Sequence, residues 1–175
     1  QKQHLEITRE IAKRFNNIFG ETLVVPDPDI KENTMLIPGT DGQKMSKSYD
    51  NIIPIFCSED DLKKRVMSIV TDSAGINEPK DKNTPLFNIY SLFLDEKGRD
   101  ILEDRYNSPG LRYGDVKKEL YETIIEYFSP FKKRREHLLK NLDEVYDILI
   151  SGSNKASKVA NANIAKVREA MGLIY

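Results

Sequence analysis

What most limits the fold is the punctuation of the last two-thirds of the sequence, where helix starts and stops follow one another and no strand can be read. Ser58 with Asp61 three positions on makes a start of the capping-box kind for a helix over 59–70. Thr84-Pro85 pairs an N-cap residue with proline at the first helical position and opens a helix over 86–94. A helix over 99–106 should stop at Pro109-Gly110, and one over 115–128 should give way to Ser129-Pro130, which repeats the Thr-Pro device. The spacing then predicts 142–150, closed by Ser151-Gly152, and 154–171, closed by Gly172. The expected class is therefore mainly α.

Ahead of Ser58 the pattern is mixed. Leu5, Ile11, Ala12, Phe15, Ile18 and Phe19 fall on one helical arc, and Gly20 stands where a helix ends. On the same wheel Gln1 and His4 lie beside the apolar face, as at a locally packed helix start. Residues 21–25, closed by Pro26 and Pro28, read as a short strand. A second apolar run, Met35-Leu36-Ile37, leads into the turn formers Pro38-Gly39-Thr40-Asp41-Gly42, and residues 52–56 return to apolar character. Residues 71–83, rich in Gly, Pro, Asn, Lys and Asp, read as a surface linker, which gives two expected units, 1–75 and 76–175.

With 27 Lys and Arg against 28 Asp and Glu, the net charge of −1 gives no global basic field, so any affinity for nucleic acid must come from local patches. A single cysteine, Cys57, excludes an internal disulfide and fits a reducing cytoplasm, and no apolar run approaches the roughly 20 residues that cross a bilayer. The chain opens with Gln1 rather than Met, which predicts a piece of a longer protein.

The segment with chemistry in it is Lys44-Met45-Ser46-Lys47-Ser48. Two ammonium groups three residues apart, with two hydroxyls, hang from a glycine turn. Such a loop is suited to holding oxyanions. Two unit charges about 4 Å apart interact by about 1 kcal/mol in water but about 4 kcal/mol at an effective dielectric near 20, so the lysines matter most when a loop closes and expels water. Most lysine-serine stretches are solvated surface loops. Here a methionine, one of 4 in the chain, sits in the middle of the polar run, and an apolar run and glycine turn stand just before it.

The pentapeptide matches letter for letter the second signature of class I aminoacyl-tRNA synthetases. The resemblance extends to the tryptophanyl family through Gln1-Lys2-Gln3-His4-Leu5-Glu6, Arg14-Phe15-Asn16, Thr71-Asp72-Ser73, Pro79-Lys80-Asp81 and Ala170-Met171-Gly172-Leu173. It implies the tail of an α/β Rossmann-type catalytic domain followed by an all-helical anticodon-binding domain. It further implies ATP with Mg²⁺, tryptophan and tRNA as ligands, no membrane, and a homodimer in the full-length protein. By resemblance Lys44 and Lys47 are catalytic and neutralise the leaving pyrophosphate while the amino-acid carboxylate attacks the α-phosphate. Ser46 and Ser48 would donate to phosphate, the Met45 and Met35 backbones would lie near the adenine, and Gln1 would meet the amino-acid substrate. The first class I signature, a histidine pair separated by two residues in a glycine-rich helix start, is absent, since His4 and His137 are the only histidines. The 175-residue chain on its own is thus expected not to activate an amino acid. Tyrosyl-tRNA synthetases, which carry the same loop type, and a noncatalytic helical RNA-binding relative are the alternatives.

Two basic groups suit a phosphate backbone: Lys132, Lys133, Arg134 and Arg135, and the one-sided set Lys155, Lys158 and Lys166. Solvated helix faces would look the same, and the family resemblance tips these residues toward tRNA. Opposite the second set, Ala156, Val159, Ala160, Ile164, Val167 and Met171 are expected to be buried. Tyr106, Tyr113, Tyr121, Tyr127 and Tyr146 could stack on bases, but are more simply packing residues with a wet hydroxyl.

Overall fold

The computed structural model describes residues 2–29 and 36–173. Among these residues the secondary structure is helical throughout, with no strand; only an isolated bridge joins Pro38 and Lys44. The helices are α1 (Lys2–Phe19), α2 (Glu59–Met67), α3 (Pro85–Ser91), α4 (Glu96–Asn107), α5 (Tyr113–Lys140) and α6 (Leu142–Ala170).

Their starts follow the side chains that can accept from a free backbone N–H. Ser58 Oγ accepts from Asp61 N at 3.1 Å, the cap its spacing predicts, and the Asp61 carboxylate accepts from the Ser58 hydroxyl at 2.7 Å instead of from the Ser58 N–H. Thr84 caps α3 with Pro85 at its first position. Helix α4 begins three residues earlier than expected because Asp95 Oδ1 accepts from Gly98 N at 2.8 Å.

Two expected interruptions do not occur. Helix α5 runs through Ser129-Pro130 and α6 runs through Ser151-Gly152. Interior proline removes one helical donor and crowds the carbonyl four residues back, a cost of about 3 kcal/mol, so packing must offset it. It does so through aromatic rings on both sides of the proline: Phe131 lies 6.3 Å from Tyr127 and 5.9 Å from Phe128, and both of those rings meet Phe93 edge-on. Glycine inside a helix costs only about 1 kcal/mol, too little by itself to stop a helix of 29 residues.

The strand expected over 21–25 is also absent. Its backbone finds a side chain instead of a neighbouring strand: Asn16 Oδ1 accepts from Thr22 N and Leu23 N, and Asn16 Nδ2 donates to the Leu23 carbonyl at 2.7 Å.

Two compact units result, 1–30 with 137–175, and 31–136. The second has the core, with Leu62, Val66 and Ile69 from α2 and its exit, Leu86 and Ile89 from α3, Leu102 and Tyr106 from α4, and Val116, Leu120 and Ile124 from α5. In the first unit Ala12 is the one buried hydrophobic residue among those described. The α6 face expected to be covered is open, since Val159, Ile164 and Met171 are exposed and only Val167 is half-buried. Among the described residues no helix is long and apolar enough to cross a membrane.

Candidate active site

The Lys44 to Ser48 segment lies in the 31–136 unit and is held by its two flanks. A turn closes Gly42 N onto the Gly39 carbonyl at 3.1 Å, and Gly42 adopts φ +86°, a conformation open to glycine at no steric cost. Beyond the turn Gly39 N donates to the Gln43 carbonyl and Met45 N to the Ile37 carbonyl, so Lys44 sits on a short doubled-back arm closed by the Pro38–Lys44 bridge. Thr40 N donates to the Asn51 carbonyl and Val70 N to the Thr40 carbonyl, which tie the arm to the chain that follows the loop and to the exit of α2.

At the loop tip Ser46 starts a single 3-10 turn, Lys47–Tyr49, by accepting from Ser48 N. The Ser46 and Ser48 hydroxyl oxygens are 2.7 Å apart, so one donates to the other and the second O–H is left to donate outward. Asp50 closes the turn at φ +50°, and Arg65 of α2 donates to its carbonyl at 2.5 Å and its carboxylate at 2.7 Å. The Asp50 carboxylate in turn stabilises the charged Arg65 guanidinium.

The methionine in the polar run has a packing reason. It is half-buried and borders an apolar pocket of about 130 Å³ with Ile37, Ile53, Ile89, Phe93 and Phe128, while Lys44 and Lys47 on either side are exposed to solvent. Neither ammonium has a hydrogen-bond or ion-pair partner among the described residues, in a chain where Lys82, Arg65 and Arg105 all pair with carboxylates. Two cations three residues apart, with no counter-charge on them among the described residues, are chemically suited to receive an anion.

A sequence-family comparison matches residues 1–129 to the family described as tRNA synthetases class I (W and Y). The chain belongs to this class I synthetase family. The tryptophan–tRNA ligase of Fusobacterium nucleatum is 45% identical over 99% of this chain, and that of Campylobacter jejuni is 43% identical over 99%. A crystal structure of the Campylobacter jejuni tryptophanyl-tRNA synthetase, solved with ADP and tryptophan, is similar at TM-score 0.77 and 43% identity over 98% of this chain. The chain spans about half of these relatives, 54% of each.

Within this synthetase chain the residues expected at the site divide into three groups. Lys44, Met45, Ser46, Lys47 and Ser48 come together on one anchored loop. Gln1 and Met35 lie outside the described residues. The basic residues occupy long helices. Lys132, Lys133, Arg134 and Arg135 are consecutive on α5 and so spread around its axis, at about 100° per residue. The Arg135 guanidinium lies 5.5 Å from the centre of the Phe56 ring, a cation–π contact. Lys155, Lys158 and Lys166 are exposed on α6 within an arc of about 80°.

Among the tyrosines, Tyr106 is fully buried and Tyr113 donates to the Asp72 carboxylate at 2.7 Å, so both serve the fold. Tyr127 and Tyr146 are exposed, as stacking would require. Sequence reasoning passed over Asn51, which is buried against the loop. An asparagine three residues beyond Ser48 looks like one more turn former. Its spacing from Asp41 and Ser46 acquires meaning only when the arm folds back.

Proposed function

We propose that this chain is the C-terminal portion of a tryptophan–tRNA ligase, whose full-length form joins tryptophan to its tRNA through an aminoacyl-adenylate made with ATP. In this reading residues 1–75 are the tail of a Rossmann-type catalytic domain carrying the signature loop, and 76–175 the helical anticodon-binding part. The observation that carries it is the loop: two solvent-facing lysines with no partner among the described residues, on a tether held by the 38–44 arm and Asn51.

Lys44 and Lys47 bind the triphosphate and stabilise the charge that grows on the leaving pyrophosphate, so their contribution is electrostatic and positional. Ser46 and Ser48 share one outward hydroxyl donor for phosphate. The loop's donor set fits an oxyanion rather than a bare cation, and among the described residues no three or more His, Cys, Asp or Glu side chains are grouped so as to hold a metal ion. Mg²⁺ would therefore be held largely through the nucleotide's own oxygens and would supply further charge neutralisation. The Met45 and Met35 backbones would flank the adenine, and Gln1 would face the tryptophan. Lys132, Lys133, Arg134, Arg135, Lys155, Lys158 and Lys166 are the residues we assign to tRNA, in a cytoplasmic, homodimeric parent.

The experiment is amino-acid-dependent ATP–pyrophosphate exchange by the full-length protein, with tryptophan and tyrosine in parallel. Exchange supported by tryptophan alone is the expected result. Exchange with tyrosine alone would move the chain to the sister enzymes, and none with either would favour a noncatalytic RNA-binding relative.

A further inference from the structure

Asn51 is 2% exposed, more deeply buried than any residue of the loop it follows. Its carboxamide is used on both sides. Oδ1 accepts from Ser46 N at 2.7 Å, while Nδ2 donates to Asp41 Oδ1 at 2.7 Å and to the Lys44 carbonyl at 3.1 Å. Lys44 and Ser46 flank Met45, so a single side chain grips the backbone before and after the residue that borders the apolar pocket. Its own carbonyl accepts from Thr40 N at 2.9 Å.

The surroundings are shaped for this residue. A Cβ placed on Gly39 would stand 2.3 Å from Asn51 Cγ and Nδ2, so glycine is what lets the carboxamide lie against the arm. Asp41 Oδ1 also accepts from Gln43 N at 3.0 Å, which fixes the acceptor that Asn51 meets. The task needs one acceptor and two donors on a short side chain. Aspartate has no donor and leucine has neither.

We propose that Asn51 is a positioning residue for the activation step: it presets the peptide around Met45 so that Lys44 and Lys47 meet the triphosphate from a fixed backbone. It touches no substrate. This rests on the reading of the loop given above. A misplacement of about 1 Å in groups that orient a reaction can cost about 10²-fold in rate, and the carboxamide is the link through which that displacement would arise.

The test uses the full-length protein and three variants: Asn51→Ala, the isosteric Asn51→Asp, and Asn51→Asp combined with Asp41→Asn. Single-turnover tryptophanyl-adenylate formation gives the rate, equilibrium dialysis gives tryptophan affinity, and thermal melting gives stability. Asn51→Ala and Asn51→Asp should lower the rate constant by about 10- to 100-fold with tryptophan affinity within about twofold. Adding Asp41→Asn returns a donor–acceptor pair between positions 41 and 51 and should recover at least severalfold of the loss. A merely structural residue would lower the melting temperature, leave the folded protein's rate constant at its normal value and show no recovery in the double variant. That pattern would overturn the inference. Should the unmodified protein make no tryptophanyl-adenylate, the loop reading fails and takes this inference with it, which is a distinguishable outcome.

Discussion

At the scale of single residues, the loop shows which meanings are local and which are assembled. Lys44, Met45 and Lys47 were legible because their chemistry is present in the letters: two cations, two hydroxyls and an out-of-place thioether. Asn51 was not, because a carboxamide acquires its role only from the backbone groups that folding brings to it. The same holds for Gly39, whose need for an empty Cβ position arises from a residue well beyond the loop. Gly39→Ala forces Asn51 off its partners and should destabilise the protein by about 1–3 kcal/mol, measured by denaturant unfolding. An unchanged midpoint would show that the carboxamide has another place to go. Tyr106 offers a test by pH. Burial pushes its hydroxyl up to about 12, above the ordinary 10, so the folded state keeps a proton that the unfolded state loses. Its contribution is intact below pH 10 and is lost as pH rises from about 10 to 12. Stability should fall more steeply over that window than in Tyr106→Phe, by up to about 2–3 kcal/mol.

At the scale of elements, starts were easier to read than stops. Ser58 and Thr84 cap helices where the sequence places them, because a cap is a local bond between a side chain and a backbone group two or three residues on. Pro130 and Gly152 failed to end theirs, because a break depends on whether packing on either side repays the lost bond. The rings around Pro130 do so. The strand over 21–25 failed for the complementary reason, since a strand needs a partner and Asn16 supplied its hydrogen bonds instead. Gly152 is exposed, and a methyl group added there would meet nothing within 4 Å, so Gly152→Ala should stabilise α6 by about 0.5–1 kcal/mol, read from denaturant unfolding. A loss of stability on that change would mean the helix is not continuous through residue 152.

At the scale of the whole molecule, the two compact units differ in how their apolar residues are used. The 31–136 unit buries a contiguous core, and residues at its edge, Ile89, Phe93 and Phe128, border the same apolar pocket as Met45 of the loop. The other unit leaves Ile7, Ile11 and Ile18 of α1 and Ile148, Leu149 and Val159 of α6 exposed. Periodicity placed Ile11, Ile18 and Val159 on apolar faces, but whether an apolar face is covered depends on what else is present, which no helical wheel contains. The central claim belongs to this scale, because it requires a fixed core, an anchored arm and two lysines with no partner among the described residues to act together on one bound nucleotide. The most direct measurement is rapid-quench adenylate formation by the full-length protein with Lys47→Ala, alongside tryptophan binding. We predict a fall of about 10² to 10³ in the rate constant with tryptophan affinity nearly unchanged; an unaltered rate constant would contradict the account.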